Sequence, residues 1–300
     1  METSEKLHHK IEDSFCEPKT PSEDCFKYIS YNWLGECQMY EDGLCLLHKE
    51  KGPDALPNVC KLYPRSLKII NNQLIACCSS SCEAVVELLY KSNEYKLIKD
   101  ELNEEAHINY SFDEDLIQDI NHYNQILKNN DFSLVQKIKT ICLEVNEDEF
   151  NNEYKSDINP LFEALSILDK FANNDDFLQE TNKLLKERYM NNSKQYEIDK
   201  VEFENTYSNW MSFFENVINN SLIYECFPFV DERISKTDAF KGLCVTYGLL
   251  RLIAIGCTSI NKNEESLIDS VASLFRLIEH TSFYYNVNII SKNAAILLNL

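Results

Sequence analysis

Glycine is scarce in this chain of 300 residues: there are six in all, and none lies between Pro53 and Lys241. A Rossmann-type dehydrogenase or methyltransferase needs a glycine-rich turn between its first strand and the following helix. The sequence contains no such turn, and it contains no Walker loop, nucleophile elbow or HExxH pair. These catalytic families are therefore excluded.

Basic residues are also few, since 29 Lys and Arg stand against 49 Asp and Glu and give a formal net charge of −20. Phosphate contacts need a basic face, so a nucleic-acid partner is excluded. The window 37–82 differs from the rest because its Lys and Arg residues balance its Asp and Glu residues. Nearby cations favour the thiolate form of cysteine, and this window is where cysteine is concentrated.

A long hydrophobic run is absent as well. The most apolar stretch, residues 243–257, is short for a bilayer span and contains Arg251, so a buried helix is expected and a membrane partner is not. The first residues, METSEKLHHK, carry charges of both signs and no apolar run. A secretory signal is therefore not expected, and a cytoplasmic location is predicted.

Cysteine, in contrast, is abundant: the chain has 12, and eight of them precede residue 83. In a reducing cytoplasm such clustering favours metal or redox chemistry over disulfides. The candidate ligands are Cys37, Cys45, Cys60 and Cys82, whose wide spacing differs from the paired CxxC zinc motifs. Four thiolates suit zinc or an iron-sulfur cluster, and both remain open, as does the alternative of inert buried thiols.

The other cysteines carry less weight as ligands. Cys142, Cys244 and Cys257 lie on apolar helical faces, where a small buried hydrophobe is the simpler interpretation. Cys77 and Cys78 are adjacent, so in an extended chain their side chains point in opposite directions and at most one faces a shared site.

The chain changes character along its length, from a looped head rich in Cys, Pro and Gly to a body with helical periodicity. We predict a mainly α fold, in which an irregular cysteine-rich N-terminal module with at most a short β-hairpin packs on a multi-helix body. The predicted divisions are a poorly ordered leader 1–30, a cluster-binding module 31–92 and a helical domain 93–300.

Apolar spacing places helices and strands along the body. Helices are predicted at 113–129, 132–145, from Pro160 onward, and at 176–191, 197–225, 237–257 and 264–280. A hairpin is predicted at 66–76, turning at Asn71 and Asn72, and a further strand at 283–290.

One segment matches a family pattern. ECQMYEDGLCLLHKEKGPDALPNVCKLYPRSL, followed by CEAVVELL, resembles the cysteine region of the flagellin lysine-N-methylase family. That pattern has a Cys before an acidic and glycine turn, a second Cys, Leu-Pro-x-x-Cys followed by Tyr-Pro-Arg, and a Cys that opens a Glu-Ala helix. The matching residues are Cys37, Cys45, Cys60, Tyr63, Pro64, Arg65, Cys82, Glu83 and Ala84.

The resemblance continues through the body to about residue 290, with HYNQILKNNDFSLVQKI, FENVINNSLIYECFPF, residues 246–256 and SLFRLIEH in the family's order. It implies transfer of a methyl group from S-adenosylmethionine to lysine side chains of flagellin. It also implies an iron-sulfur cluster of the four-iron four-sulfur type held by the four cysteines, with Arg65 and Tyr63 supporting the cofactor site. The lysine amine must be neutral to attack a methyl-sulfonium carbon.

Family members carry a further cysteine group upstream, ending in adjacent cysteines before Gly-Trp, which has no match here at the usual separation. Either Cys16 and Cys25 are a shortened remnant of this group, as in a degenerate member, or the chain is an N-terminally truncated member; the alternative for this pair is chance cysteines in a flexible leader. Cys16, Cys25 and Cys78 are additional candidate ligands. The competing interpretation is a non-catalytic helical protein, stapled by zinc, that binds a protein partner.

Overall fold

The computed structural model describes residues 5–20, 27–30, 37–41, 44–70, 73–96, 116–155, 157–171, 176–228 and 233–300. These residues are mainly α-helical, which confirms the predicted fold class, and their strands form only short antiparallel pairs. Contacts divide the chain into two compact units, Met1–Tyr63 and Pro64–Leu300. The predicted divisions at residues 30 and 92 follow composition and remain predictions.

The first unit contains short elements around a small core. They are α1 Glu5–Ser14, β1 Phe15–Cys16 paired with β2 Tyr28–Ile29, β3 Tyr40–Glu41 paired with β4 Leu44–Cys45, α2 Leu46–Lys51, a 3-10 turn Pro53–Ala55 and α3 Asn58–Leu62. The core consists of Leu7, Met39, Leu46 and Leu47. α1 was not predicted, and it forms because Leu7 and Ile11 lie one turn apart and both contact this core.

The second unit opens with the predicted hairpin, formed by β5 Arg65–Ile70 and β6 Gln73–Cys78. Its register pairs Arg65 with Cys78 and Lys68 with Ile75. The predicted turn residues Asn71 and Asn72 lie outside the described residues. The short segment 79–82 then leads into α4 Glu83–Lys91.

Nine helices and a 3-10 segment complete the described part of this unit. They are α5 Leu116–Leu127, α6 Leu134–Tyr154, α7 Pro160–Phe171, α8 Asp176–Tyr189, α9 Ser193–Thr206, α10 Trp210–Tyr224, α11 Lys236–Ile260, α12 Glu264–His280, α13 Phe283–Ile290 and the 3-10 helix Ala294–Asn299. α7 begins at Pro160, as predicted, because proline needs no hydrogen-bond partner there. α12 also has its predicted bounds.

α11 forms the centre of the second unit and packs against α6, α7, α8, α9, α12, α13 and the C-terminal 3-10 helix. It is long and apolar enough to cross a membrane, but 89% of its apolar 18-residue stretch is buried inside the protein. The prediction of a buried helix at 243–257 is therefore confirmed.

Two sequence predictions were wrong. The helix predicted at 197–225 is two helices, because the chain turns at Tyr207 and the Trp210 N–H donates to Tyr207 O (2.8 Å). The strand predicted at 283–290 is α13, in which Phe283 and Val287 are one turn apart and fully buried. Burial of that apolar stripe outweighs the strand preference of aromatic and β-branched residues.

Candidate functional site

Three of the four predicted cluster ligands lie in the first unit. Cys37 precedes β3 and Cys45 is the last residue of β4; the Tyr40 N–H donates to Cys37 O (2.8 Å) and Tyr40 pairs with Cys45. Both thiols pack against the core of the unit. Cys60 lies at an exposed position on α3; partial burial of its thiol raises its pKa, and the Cys37 and Cys45 thiols raise it further. The Cys37 and Cys45 thiols therefore act electrostatically on Cys60.

These thiols supply the soft donors that zinc or an iron-sulfur cluster takes. However, no group of three or more His, Cys, Asp or Glu within the described ranges is arranged to hold a metal ion. Cys82 belongs to the second unit, and the four-thiolate cluster remains a prediction. Cys16 lies on β1 opposite Tyr28, Cys25 lies outside the described residues, and Tyr63 is exposed at the end of α3.

The remaining predicted site residues gather at the end of the hairpin in the second unit. Cys78 and Cys82 both pack against the main core, whereas Cys77 packs in a separate cluster with Cys226. Burial raises the pKa of Cys78, the Arg65 guanidinium lowers it and Cys82 raises it. Cys78 is therefore the member of the adjacent pair that accompanies Cys82 and Arg65.

Residues 79–81, here called the serine loop, join these two cysteines, and all three serines are buried. Glu279 on α12 accepts hydrogen bonds from Ser79 Oγ and from the N–H groups of Ser80 (3.2 Å) and Ser81 (3.3 Å). His280 Nε2 lies 2.8 Å from Ser81 Oγ. The end of α12 thereby fixes the backbone of the loop.

α10 holds the same loop through Asn220, a buried side chain. Its Nδ2 donates to Cys78 O (2.7 Å) and to Ser80 Oγ (2.8 Å), and Tyr95 donates to its Oδ1 (3.3 Å). Buried polar groups need such partners. Two helices that are distant in sequence therefore determine where Cys78 and Cys82 stand.

Two partly buried carboxyl groups interact beside this loop. Burial raises the pKa of Glu225, which directly follows α10, to about 8; the Glu279 carboxylate adds to the rise and the Lys68 ammonium opposes it. Burial raises the pKa of Glu279 to about 7, against the lowering effect of its serine-loop hydrogen bonds and of Lys68. The pair therefore titrates close to neutral pH.

Lys68 extends from β5 to the C-terminal end of α10. Its Nζ donates to Tyr224 O, lies 3.4 Å from Cys226 Sγ and is 5.4 Å from the centre of the Tyr224 ring. A carbonyl oxygen and an aromatic face are groups that bind an ammonium ion, and the charge of Lys68 also lowers the pKa of Glu225 and of Glu279 without forming an ion pair with either carboxyl. We call Tyr224, Glu225, Cys226 and Glu279 the ammonium site.

Sequence reasoning missed the residues of the ammonium site, although two of the segments that carry the family resemblance contain them. Glu225 interrupts an apolar run in SLIYECFPF, and Glu279 ends one in SLFRLIEH. A carboxylate among apolar neighbours is the available signal, because a charged side chain is seldom buried without a partner. Nothing in either segment alone indicates that the two carboxyls meet.

The three cysteines that were predicted to lie on apolar helical faces do so. Cys142 and Cys244 are fully buried, with their sulfur atoms 3.6 Å apart, and Cys257 is partly buried against the main core. Burial raises the pKa of Cys244 and Cys257, so both favour the inert thiol form.

The second unit is thus a helical domain whose cysteine-bearing loop is tied to a carboxyl pair and an ammonium site. Residues 70–296 match the FliB lysine N-methylase C-terminal domain. The chain therefore belongs to the flagellin lysine N-methylase family, which confirms the resemblance seen in the sequence. Searches of curated proteins and of solved structures returned no match.

The matched range determines which part of the site the family domain covers. It includes the serine loop, Cys82, Glu225 and Glu279, while Cys37 and the other first-unit thiols precede it. Lys68 lies just before the matched range, on the strand that leads into it. The carboxyl pair therefore belongs to the family domain itself.

Proposed function

We propose that this protein transfers a methyl group from S-adenosylmethionine to lysine side chains of flagellin in the cytoplasm. Family membership supports lysine methylation. The observation that carries the proposal is the carboxyl pair beside the ammonium site. A lysine amine must lose a proton before it attacks a methyl-sulfonium carbon, and a carboxyl with a pKa near neutrality can accept that proton.

The two carboxyls suit different roles. Glu279 accepts three hydrogen bonds from the serine loop and is fixed by them. Glu225 receives no hydrogen bond at its carboxyl from the part of the chain that the structure describes, and burial, with a smaller contribution from Glu279, raises its pKa. We therefore assign Glu225 as the proton acceptor and Glu279 as its positioning neighbour, in a site where environment separates the two roles.

The proposal includes an iron-sulfur cluster of the four-iron four-sulfur type, held by Cys37, Cys45, Cys60 and Cys82. The effect of the Cys37 and Cys45 thiols on the pKa of Cys60 supports it, and Arg65 offers a thiolate-stabilising cation at Cys78, the additional candidate ligand that packs with Cys82. When bound, such a cluster supplies either an open iron that anchors the methyl donor or a brace for the cysteine loops. We assign no proton transfer to it.

Methyl incorporation into flagellin tests this function. Protein purified without oxygen is incubated with flagellin and labelled S-adenosylmethionine, and flagellin lysines are analysed by peptide mass spectrometry. We expect the label on lysine, and we expect Glu225→Gln to lower the rate by about 100-fold or more, the usual contribution of a general base. The control is Glu202→Gln, which removes a surface partner of Lys262 and should leave the rate unchanged.

The same preparation separates the proposal from its competitor. Iron with acid-labile sulfide, lost in Cys60→Ala, would support the cluster. A protein that carries one zinc ion and incorporates no methyl group would contradict the proposal and favour the zinc-stapled partner-binding alternative.

A further inference from the structure

A groove on the second unit lies outside the carboxyl pair and the ammonium site. It has a volume of about 760 Å³, and residues of α7, α8, α12 and α13 line it. Its apolar lining consists of Phe171, Leu178, Leu277, Ile289 and Ile290. A concave, mainly apolar surface of this size is typical of a binding site. We call it the α12 groove.

The charge of the α12 groove differs from that of the chain. Lys170 and Arg276 line it and no Asp or Glu does among the residues that the structure describes, although the chain has 49 Asp and Glu against 29 Lys and Arg. Arg276 already pairs with Glu83. Lys170 donates to Ile290 O (2.9 Å) and forms no ion pair within the described ranges. The groove therefore offers the Lys170 ammonium group to a carboxylate.

Ile289 offers an apolar contact at the edge of the groove. With 78% of its surface exposed, it is the most exposed large apolar side chain among the described residues. It precedes Ile290, whose carbonyl accepts the hydrogen bond from Lys170. A molecule that contacts Ile289 can therefore also reach the Lys170 ammonium group. An exposed apolar side chain that continues an apolar groove marks a surface for another protein.

The groove shares the last turn of α12 with the candidate site. Leu277 lines the groove, and Glu279 binds the serine loop. Two positions along a helix differ by about 200°, so these side chains leave opposite sides of α12. One helix diameter, about 10 Å, therefore separates the groove from the carboxyl pair. An extended polypeptide spans that distance with about three residues.

We infer that the α12 groove binds a segment of flagellin in which a carboxylate lies beside an apolar side chain. The carboxylate pairs with Lys170, and the apolar side chain packs against Ile289. This inference rests on the proposed function, and it places the modified lysine about three residues or more from the anchored segment. The methyl donor suits the groove less well, because its sulfonium and ammonium charges outnumber its single carboxylate.

Flagellin binding is measured without the methyl donor, so that no chemistry contributes. Fluorescently labelled flagellin is titrated with the full chain, purified without oxygen, and anisotropy gives Kd. We expect Lys170→Glu and Ile289→Ser each to weaken binding by about 10-fold, the effect of losing one well-placed contact. Added salt should weaken binding by the wild type more than binding by Lys170→Gln, which keeps an N–H donor but removes the charge.

Matched controls separate the groove from general surface effects. Lys183→Glu reverses the charge of an exposed lysine elsewhere on α8, and Ile198→Ser removes an exposed apolar side chain from α9. Neither residue lines the groove, so both variants should bind flagellin as the wild type does. In the methylation assay the groove variants should raise the KM for flagellin and leave kcat and the KM for S-adenosylmethionine unchanged.

The outcomes distinguish the inference from the proposed function. Wild-type affinity in both groove variants, with flagellin methylated, overturns the inference and leaves the proposed function standing. Groove-dependent binding without methyl transfer supports the docking surface and overturns the proposed function. Absence of both binding and methyl transfer overturns the two together. Sedimentation of the chain alone completes the test: a dimer that Ile289→Ser dissociates would assign the groove to a second copy and overturn the inference.

Discussion

Glu225 shows how one side chain couples the site to folding. In the unfolded chain its carboxyl titrates near 4.5, whereas burial raises its pKa in the folded protein to about 8. Between these values the folded state binds more protons than the unfolded state. The free energy of unfolding therefore falls as pH rises through this window, and the favourable contribution is fully present only below it.

A pH series on Glu225→Gln tests this coupling. Because glutamine does not titrate, the unfolding free energy of the variant should decrease less than that of the wild type between about pH 5 and about pH 8. Its stability relative to wild type should accordingly improve as pH rises. Urea unfolding at several pH values measures the effect, with Glu202→Gln as control; parallel pH profiles for wild type and Glu225→Gln would contradict the raised pKa.

Asn220 has a different role at the residue scale, because it satisfies buried groups of the serine loop. Asn220→Ala would leave Cys78 O and Ser80 Oγ without their donor. We expect the free energy of unfolding to drop by about 1 to 3 kcal/mol, the cost of such orphaned groups. Urea denaturation provides the measurement, and Asn152→Ala at an exposed position of α6 should change it little.

At the scale of elements, the helices and strands that could be predicted are those whose sequence signals lie within the element itself. α7 and α12 follow from a proline start and an apolar stripe, and the β5–β6 hairpin follows from apolar residues around a pair of asparagines. The break between α9 and α10 could not be predicted, because it depends on where Tyr207 and Trp210 pack. α13 was mistaken for a strand for the same reason: its neighbours, and not its own residues, determine its conformation.

The candidate site divides in the same way. Cysteines are visible in a sequence, so Cys60 and Cys82 could be proposed from spacing and resemblance. The carboxyl pair is formed by the ends of α10 and α12, which no local pattern relates. Glu225 and Glu279 acquire their raised pKa values only after the two helices pack. Because these values depend on tertiary contacts, the sequence alone does not predict them.

The contact between α11 and the C-terminal 3-10 helix yields a prediction at this scale. A Cβ atom on Gly248 would lie 2.7 Å from Leu297 Cβ, so the two elements approach closely only because glycine is present. Gly248→Ala should cost about 1 to 3 kcal/mol of unfolding free energy through overpacking. Gly52→Ala is the contrasting case, because nothing lies within 4 Å of its Cβ position and its cost, of about 1 kcal/mol, arises from a φ of 80°.

Urea unfolding of both glycine variants separates the two mechanisms when a second substitution is added. Leu297→Gly removes the Cβ atom that an alanine at position 248 would meet and should partly relieve Gly248→Ala, so the two changes should be less than additive. It should not alter the cost of Gly52→Ala. Additive effects for Gly248→Ala and Leu297→Gly would contradict the close-contact explanation.

At the scale of the whole molecule, the two units differ in how much core each possesses. The second has a continuous core around α11, whereas the described residues of the first bury four apolar side chains in their core, Leu7, Met39, Leu46 and Leu47. A core of that size contributes little stability, and small modules usually need a metal or a disulfide in addition. The first-unit thiols are the groups that could provide such a restraint.

Hydrogen exchange on the full chain, purified without oxygen, should reveal this division. If the first unit holds the proposed cluster, removing its iron with a chelator should speed amide exchange at Met39 and Leu46, because metal binding and folding are coupled in modules with few core contacts. Amides of α11, such as that of Leu250, should keep their protection. Cys45→Ser should have the same local effect without chelator, and Cys142→Ser, far from the predicted ligands in sequence, should not. Unchanged exchange of the first unit after metal removal would show that its apolar core suffices and that the thiols of Cys37, Cys45 and Cys60 do not restrain it.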